Sequence, residues 1–372
     1  MQAIKSNKII TMDDNYAKVD TILLEGGKII AVGQNIDIPP GTEVYDATGK
    51  YVLPGFIDAH THLGMMEEII RDDGDDLNEK TDPVTPHLRA IDAINPMDLA
   101  FQDALQAGIT TVVTGPGSAN IVGGEMLAMK TCGSVVDDMI IRSPIGIKAA
   151  LGENPKRNYG RNQKTPATRM ASAALLRETL VRGSEYLRKM QQAEKIERDL
   201  RMESVARVLR REIPLRVHAH RADDIMTAIR IGREFNLRLI IEHCTEGHLV
   251  ADKLAEAGVA AVLGPVMTNR SKAELQGRSL KTAAVLARAG VNFAISTDHP
   301  VVPIQYLAIS AGIVTRGGLT VEQALKAITI NAALLLNIDD RVGSITPGKD
   351  ADIVIYSGHP FDLSTVVVRV YT

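Results

Sequence analysis

Several short apolar runs of this chain end on histidine or carboxylate side chains, the residue types that hold metal ions and move protons. The run at residues 52–57 continues as Asp58-Ala59-His60-Thr61-His62. Side chains alternate along an extended chain, so His60 and His62 share one face and both imidazoles could grip one ion. The run at 215–217 leads into His218-Ala219-His220, that at 237–241 into Glu242-His243-Cys244, and that at 291–296 into Thr297-Asp298-His299. One His-x-His pair occurs by chance. Four separate runs, each ending on a metal-competent group, point to a shared centre.

Imidazoles with one or two carboxylates suit Zn²⁺ first, with Fe²⁺, Mn²⁺, Co²⁺ and Ni²⁺ as alternatives. Water held by such an ion has its pKa drawn toward ~7, which supplies hydroxide near neutral pH. Asp298 is placed to bind the ion and to accept a proton. His220, His248 and His299 stand beside these groups in sequence and are candidates to touch substrate. Cys244 reads as a small buried thiol.

These residues need elements to bring them together. Apolar runs at 52–57, 110–114, 139–147, 215–217, 237–241, 260–263 and 291–296 alternate with helix-prone stretches at 97–106, 222–235, 249–257 and 280–289. Gly108, Gly258 and Gly290 follow Ala- or Leu-rich stretches, where a helix end calls for a left-handed residue. Such alternation implies a parallel sheet, and about eight units favour a closed barrel with its functional groups at the C-terminal strand ends. The expected fold is α/β, a (β/α)8 TIM-type barrel over residues 56–339. Residues 1–55 and 340–372 carry short β runs punctuated by Gly and Pro, and are expected to form one small β-sandwich domain from both chain termini. The charged stretch at 169–211 reads as solvated helix.

Two loops also face the expected mouth. Asp72, Asp73, Asp75, Asp76 and Glu79 make the loop after the first barrel strand acidic. It reads as solvated, although an acidic lid would suit a basic substrate. Gly115-Pro116-Gly117-Ser118 is a turn that could aim backbone donors at a ligand.

The chain has 372 residues, 45% hydrophobic and 23% charged, with a formal net charge of −3. This is the composition of a globular enzyme, without the basic excess that nucleic acid or an anionic membrane would draw. No run approaches the ~18 apolar residues of a membrane span. Two distant cysteines and no leader-like N-terminus fit a cytoplasmic protein. The partner expected is a small-molecule substrate, with a homo-oligomer as the expected assembly.

The motifs Leu53-Pro54-Gly55-Phe56-Ile57-Asp58-Ala59-His60-Thr61-His62, Ser296-Thr297-Asp298 and the tail from Gly343 to Val354 resemble the amidohydrolase superfamily, and within it the imidazolonepropionase-like amidohydrolases. The resemblance implies one or two divalent ions. His60 and His62 would bind the more buried one, His218 and His243 the second, and Asp298 would be both ligand and general base. Two-metal relatives carry a bridging glutamate or carboxylated lysine after the fourth strand. Glu153, in the loop Gly152-Glu153-Asn154-Pro155, is favoured by its place beyond the apolar run; Lys148, if carboxylated, is the alternative. The implied reaction is amide C–N hydrolysis in a cyclic amide, a dipeptide or an N-acyl amino acid. Deamination of a nucleobase-like ring is the first rival, but the acid that many deaminases place three residues after the strand-five histidine is Arg221 here. An inert metal-binding scaffold is the second, although no expected ligand is missing.

Overall fold

Turn residues cut the first fifty positions into short β-branched runs, and these pair with one another. β1 (Gln2–Lys5), β2 (Thr21–Glu25), β3 (Lys28–Gly33) and β4 (Glu43–Asp46) form one sheet in the order β3-β2-β1-β4. The computed structural model describes residues 1–16, 18–70, 72–192 and 197–372. β5 (Tyr51–Pro54) leaves that sheet to pair with the far end of the chain, as set out below. Eight further strands follow in sequence and lie side by side in that same order: β6 (Phe56–Thr61), β7 (Ile109–Thr114), β8 (Val122–Lys130), β9 (Ile140–Ala150), β10 (Leu215–Ala219), β11 (Leu239–His243), β12 (Ala260–Leu263) and β13 (Phe293–Ile295). They form the eight-stranded barrel expected from the sequence. β14 (Ile353–Tyr356) then pairs with both β5 and β15 (Val367–Tyr371). The two terminal sheets share one apolar core, in which Ile4, Ile22 and Ile29 meet Val52, Ile345, Ile353 and Ile355.

One strand departs from the expected all-parallel barrel. β8 runs antiparallel to both β7 and β9. Its opening Val122-Gly123-Gly124-Glu125 breaks the apolar pattern, which is why the sequence reading passed over it. The ladder stops at β13 and β6, and discrete bonds join them: Thr297 donates from N and Oγ1 to Asp58 Oδ2 at 3.0 and 2.6 Å, and His62 N donates to His299 O at 2.9 Å.

Eleven α-helices lie among the described residues. α1 (Leu99–Gln106) covers β7, α2 (Val136–Met139) leads into β9, and α3 (Glu153–Gly160) starts at its end. α4 (Arg169–Gln191) and α5 (Leu200–Leu209) take up the charged stretch expected to be helical; residues 193–196, inside that stretch, lie outside the described residues. α6 (Ala222–Glu234), α7 (Ala251–Glu256) and α8 (Lys281–Arg288) alternate with the later strands, and α9 (Leu307–Ile313), α10 (Val321–Ala327) and α11 (Ile330–Leu336) close the barrel's outer layer. Gly108, Gly258 and Gly290 follow α1, α7 and α8 with φ of +79°, +62° and +76°. The outer layer is apolar: Val217, Ala219, Ile241, Leu263 and Ile295 on the strands pack with Ile225, Leu254 and Leu286 on the helices. Alternation turns Arg216, His218 and Glu242 the other way.

Candidate metal centre

Parallel register sets the height of the functional groups. β10 and β11 pair His218 with Glu242 and Ala219 with His243, so both histidines arrive at the same end. His243, Cys244 and Asp298 turn the chain away from the strand ends with φ of +69°, +45° and +56°. Such left-handed residues cost on the order of 1 kcal/mol or more each, and two of the three, His243 and Asp298, are expected ligands.

Five imidazoles and one aspartate converge. Ring centroids lie 5.2 Å apart for His60–His62, 5.1 Å for His60–His243, 4.4 Å for His218–His243 and 4.7 Å for His218–His220. Asp298 Oδ1 is 3.4 Å from Nε2 of both His60 and His62. His218, His220 and His243 can bring three nitrogens within 4.8 Å of one another, and His60, His243 and Asp298 can do the same with their ligand atoms.

The outer nitrogens show which atoms are free. His62 Nδ1 lies 2.7 Å from Gly115 O and His243 Nδ1 2.8 Å from Gly264 O. A carbonyl only accepts, so each Nδ1 carries the proton and each Nε2 keeps its lone pair. His220 Nδ1 is tied to Thr245 Oγ1 at 2.7 Å. His60 Nδ1 faces Glu242 Oε2 at 3.0 Å, off line for a well-formed hydrogen bond. His218 is buried with neither ring nitrogen hydrogen-bonded. An unpartnered buried imidazole is costly, and rings oriented through Nδ1 with Nε2 turned to a common point are the arrangement a divalent cation satisfies.

The electrostatics agree with that donor set. Burial lowers the pKa of His62, drives His218 and His243 well below the usual histidine value and brings His220 to about 4. Burial opposes ionisation of Asp298, but His243, His60 and His62 around it hold its carboxyl well below the usual range. Beneath the cluster, burial pushes Asp58 up to about 7 against its bonds from Thr297 and His60. A cavity of about 590 Å³ opens above, with His62, His218, His243 and Asp298 in its floor.

The family model described as "Amidohydrolase family" matches residues 51–370. The chain belongs to the amidohydrolase family. It is an imidazolonepropionase-like member and an enzyme that hydrolyses carbon–nitrogen bonds. It is 44% identical to an amidohydrolase from Thermotoga maritima of known structure, with a TM-score of 0.96 and coverage of 100% of this chain and 98% of that one. It is 28% identical to amidohydrolase tasK of Hapsidospora irregularis over 94% of its own length, but spans only 39% of that protein. It is 25% identical to the imidazolonepropionase of Mesorhizobium japonicum, over 95% of this chain and 91% of that protein.

Against that amidohydrolase frame, the two candidate bridging residues fall in different places. Lys148 is buried on β9 with Nζ 3.2 Å from His60 Nε2, and burial lowers its pKa to about 8. Glu153 begins α3, and its carboxylate accepts from Glu274 N at 3.4 Å. β9 extends to Ala150 and carries Lys148 to the cluster, whereas Glu153, favoured from the sequence, faces Glu274 in the loop after β12. His220 joins the imidazole cluster itself. His248 does not, because its Nδ1 lies 3.0 Å from Thr282 Oγ1. His299 is buried beside Asp298, with Nδ1 accepting from Ile304 N at 3.2 Å. The backbone donors of Gly117 and Ala119 are taken by Leu77 O and Asn78 Oδ1, and Gly117, Ser118 and Ala119 line the cavity.

Four charged residues at the site were missed. Glu242 Oε1 accepts from Arg216 Nε at 2.5 Å, and Arg216 also donates to Ala59 O at 2.6 Å, all of them buried. Glu274 Oε1 lies 3.5 Å from Nε2 of both His218 and His220. Asp58 ties β6 to β13. A charged residue inside an apolar strand run was the available signal for Arg216, Glu242 and Asp58; Glu274 sits in a polar loop and gave none.

Proposed function

We propose that this amidohydrolase cleaves an amide C–N bond of a small molecule, a cyclic amide, a dipeptide or an N-acyl amino acid, with one or two divalent ions, zinc foremost. The observation that carries this reading is the clustering of five imidazoles about two carboxylates, with Nε2 of His60 and His62 3.4 Å from Asp298 and Nε2 of His218 and His220 3.5 Å from Glu274. His60, His62 and Asp298 would hold one ion, and His218 and His243 a second, with His220 and Glu274 beside it. Lys148, carrying a carboxylate, is the bridge its position supports, in place of Glu153. When bound, such an ion supplies a Lewis-acid field for the scissile carbonyl and lowers the pKa of water.

The chain's own residues do the rest. Asp298 is ionised at the cavity floor, so it can take a proton from the attacking water and return it to the leaving nitrogen. Glu242, itself held by Arg216, faces His60 Nδ1 from below, and Gly115 and Gly264 fix the tautomers of His62 and His243. The walls of the cavity position the amide above Asp298. Deamination gains no support at its diagnostic position, since Arg221 is half-exposed and paired with Asp223 at 2.9 Å.

The test is product analysis before and after chelation. Amine or carboxylate release from a panel of N-acyl amino acids, dipeptides and cyclic amides should vanish on chelation and return with zinc. Ammonia release confined to nucleobases, or turnover indifferent to chelation, would sink the reading.

A further inference from the structure

The cavity above the imidazoles is not neutral. Its lining brings Arg157, Arg161 and Lys272 together, with Lys272 Nζ 3.8 Å from Glu274 Oε1 behind it, and Asp298 is its one carboxylate. Asp298 is already engaged by His60 and His62. Asn154, Arg157 and Asn158 on α3 and Arg161, the residue that caps its end, recur at helical spacing and give the cavity a single polar, cationic face. The acidic loop after β6 contributes Met66, Leu77 and Asn78 to the lining and none of its carboxylates.

Arginines elsewhere on this surface find acids: Arg177 pairs with Glu234, Arg198 with Glu203, and Arg221 with Asp223. Arg157 and Arg161 have no ion pair or side-chain hydrogen bond among the described residues, although Glu153 stands one helical turn before Arg157. That carboxylate is turned to Glu274 N instead. Two unpaired guanidiniums on one helix face, opposite a lysine and over a hydrolytic floor, form a fork for a planar anion.

We infer that the α3 face is a specificity site for a carboxylate, so that the substrate is an anionic amide held by Arg157 and Arg161 with its scissile bond over Asp298. This rests on the proposed amide hydrolysis for the reaction and on the cavity's charge for the specificity. It also removes the basic substrate that an acidic lid would have suited.

The test compares free acids with their neutral methyl esters, using N-acetyl-L-amino acids as probes and calorimetry on the purified, metal-containing protein. The acids should bind on the order of tenfold or more tighter than the esters. In R157Q/R161Q the two should become equal while metal content stays unchanged; both side chains are exposed, so the fold is spared. Equal affinity of acid and ester in the unaltered protein, a preference that survives in R157Q/R161Q, or no binding of any acid overturns the inference. Chelation-sensitive turnover of neutral amides without acid preference would leave the proposed reaction standing and remove only this site. Acid binding without amide turnover would do the reverse.

Discussion

Lys148 and Glu153 differ in what surrounds them, and that difference can be weighed in solution. A buried amine beside His60 has its charge suppressed, and a neutral amine adds to CO₂ through a new C–N bond with loss of one proton, leaving a carboxylate in the cluster. Lys148→Ala should therefore lower bound metal and reduce kcat by on the order of 100-fold, whereas Glu153→Gln should leave both near their starting values. Elemental analysis alongside kinetics checks this, and the opposite ranking returns the bridge to Glu153. The convergent His60, His62, His218, His243 and Asp298 were legible in the sequence because each follows an apolar run at a strand end. The place of Lys148 beside His60 was not legible because strand ends are uncertain by a residue or two, and a short shift decides which side chain reaches the mouth. Glu274 was illegible, since only the folded path of the loop after β12 brings it beside His218 and His220.

At the scale of elements, helix ends were the most readable feature. Gly108, Gly258 and Gly290 all adopt the left-handed conformation their positions called for. Gly290 has open space where a Cβ would go, so Gly290→Ala isolates the backbone term. It should cost about 1 kcal/mol through the positive φ alone. A lower urea midpoint with unchanged kcat is the expected result; an unchanged midpoint would show that the α8 terminus relaxes freely. β8 was invisible for a matching reason: paired glycines and a glutamate at its start carry no apolar period, and only pairing with β7 and β9 makes it a strand.

Over the whole molecule, the terminal β unit is held to the barrel by buried acids. Asp350 contacts Lys28 on β3 at 2.6 Å, Lys130 on β8 at 3.0 Å and Arg341 at 2.8 Å. Burial alone would raise its pKa, yet these cations bring it down to about 2. Because the folded value lies below the unfolded one of about 3.9, the stabilisation is fully present above pH ~4 and disappears as pH falls toward 2. Discounted for the half-exposed Lys28, it amounts to about 1 kcal/mol. Asp350→Asn should lower thermal stability at pH 7 and flatten the acid limb between pH 4 and 2; an acid limb identical to the parent's would place the sensitivity elsewhere.

The reversed β8 has a consequence for how the entrance behaves. Its first residues are stitched to the long excursion after β6, with Thr85 N donating to Val122 O at 2.8 Å and Glu125 N to Leu88 O at 2.8 Å. Opposite, the Glu153 and Glu274 backbones exchange bonds with each other's carboxylates. Each jamb of the doorway is thus cross-braced, so selection falls on what can pass the threshold and not on a door that swings shut. Turnover should accordingly ignore an added viscogen, and a kcat that falls in proportion to viscosity would mean that one of those jambs has to move.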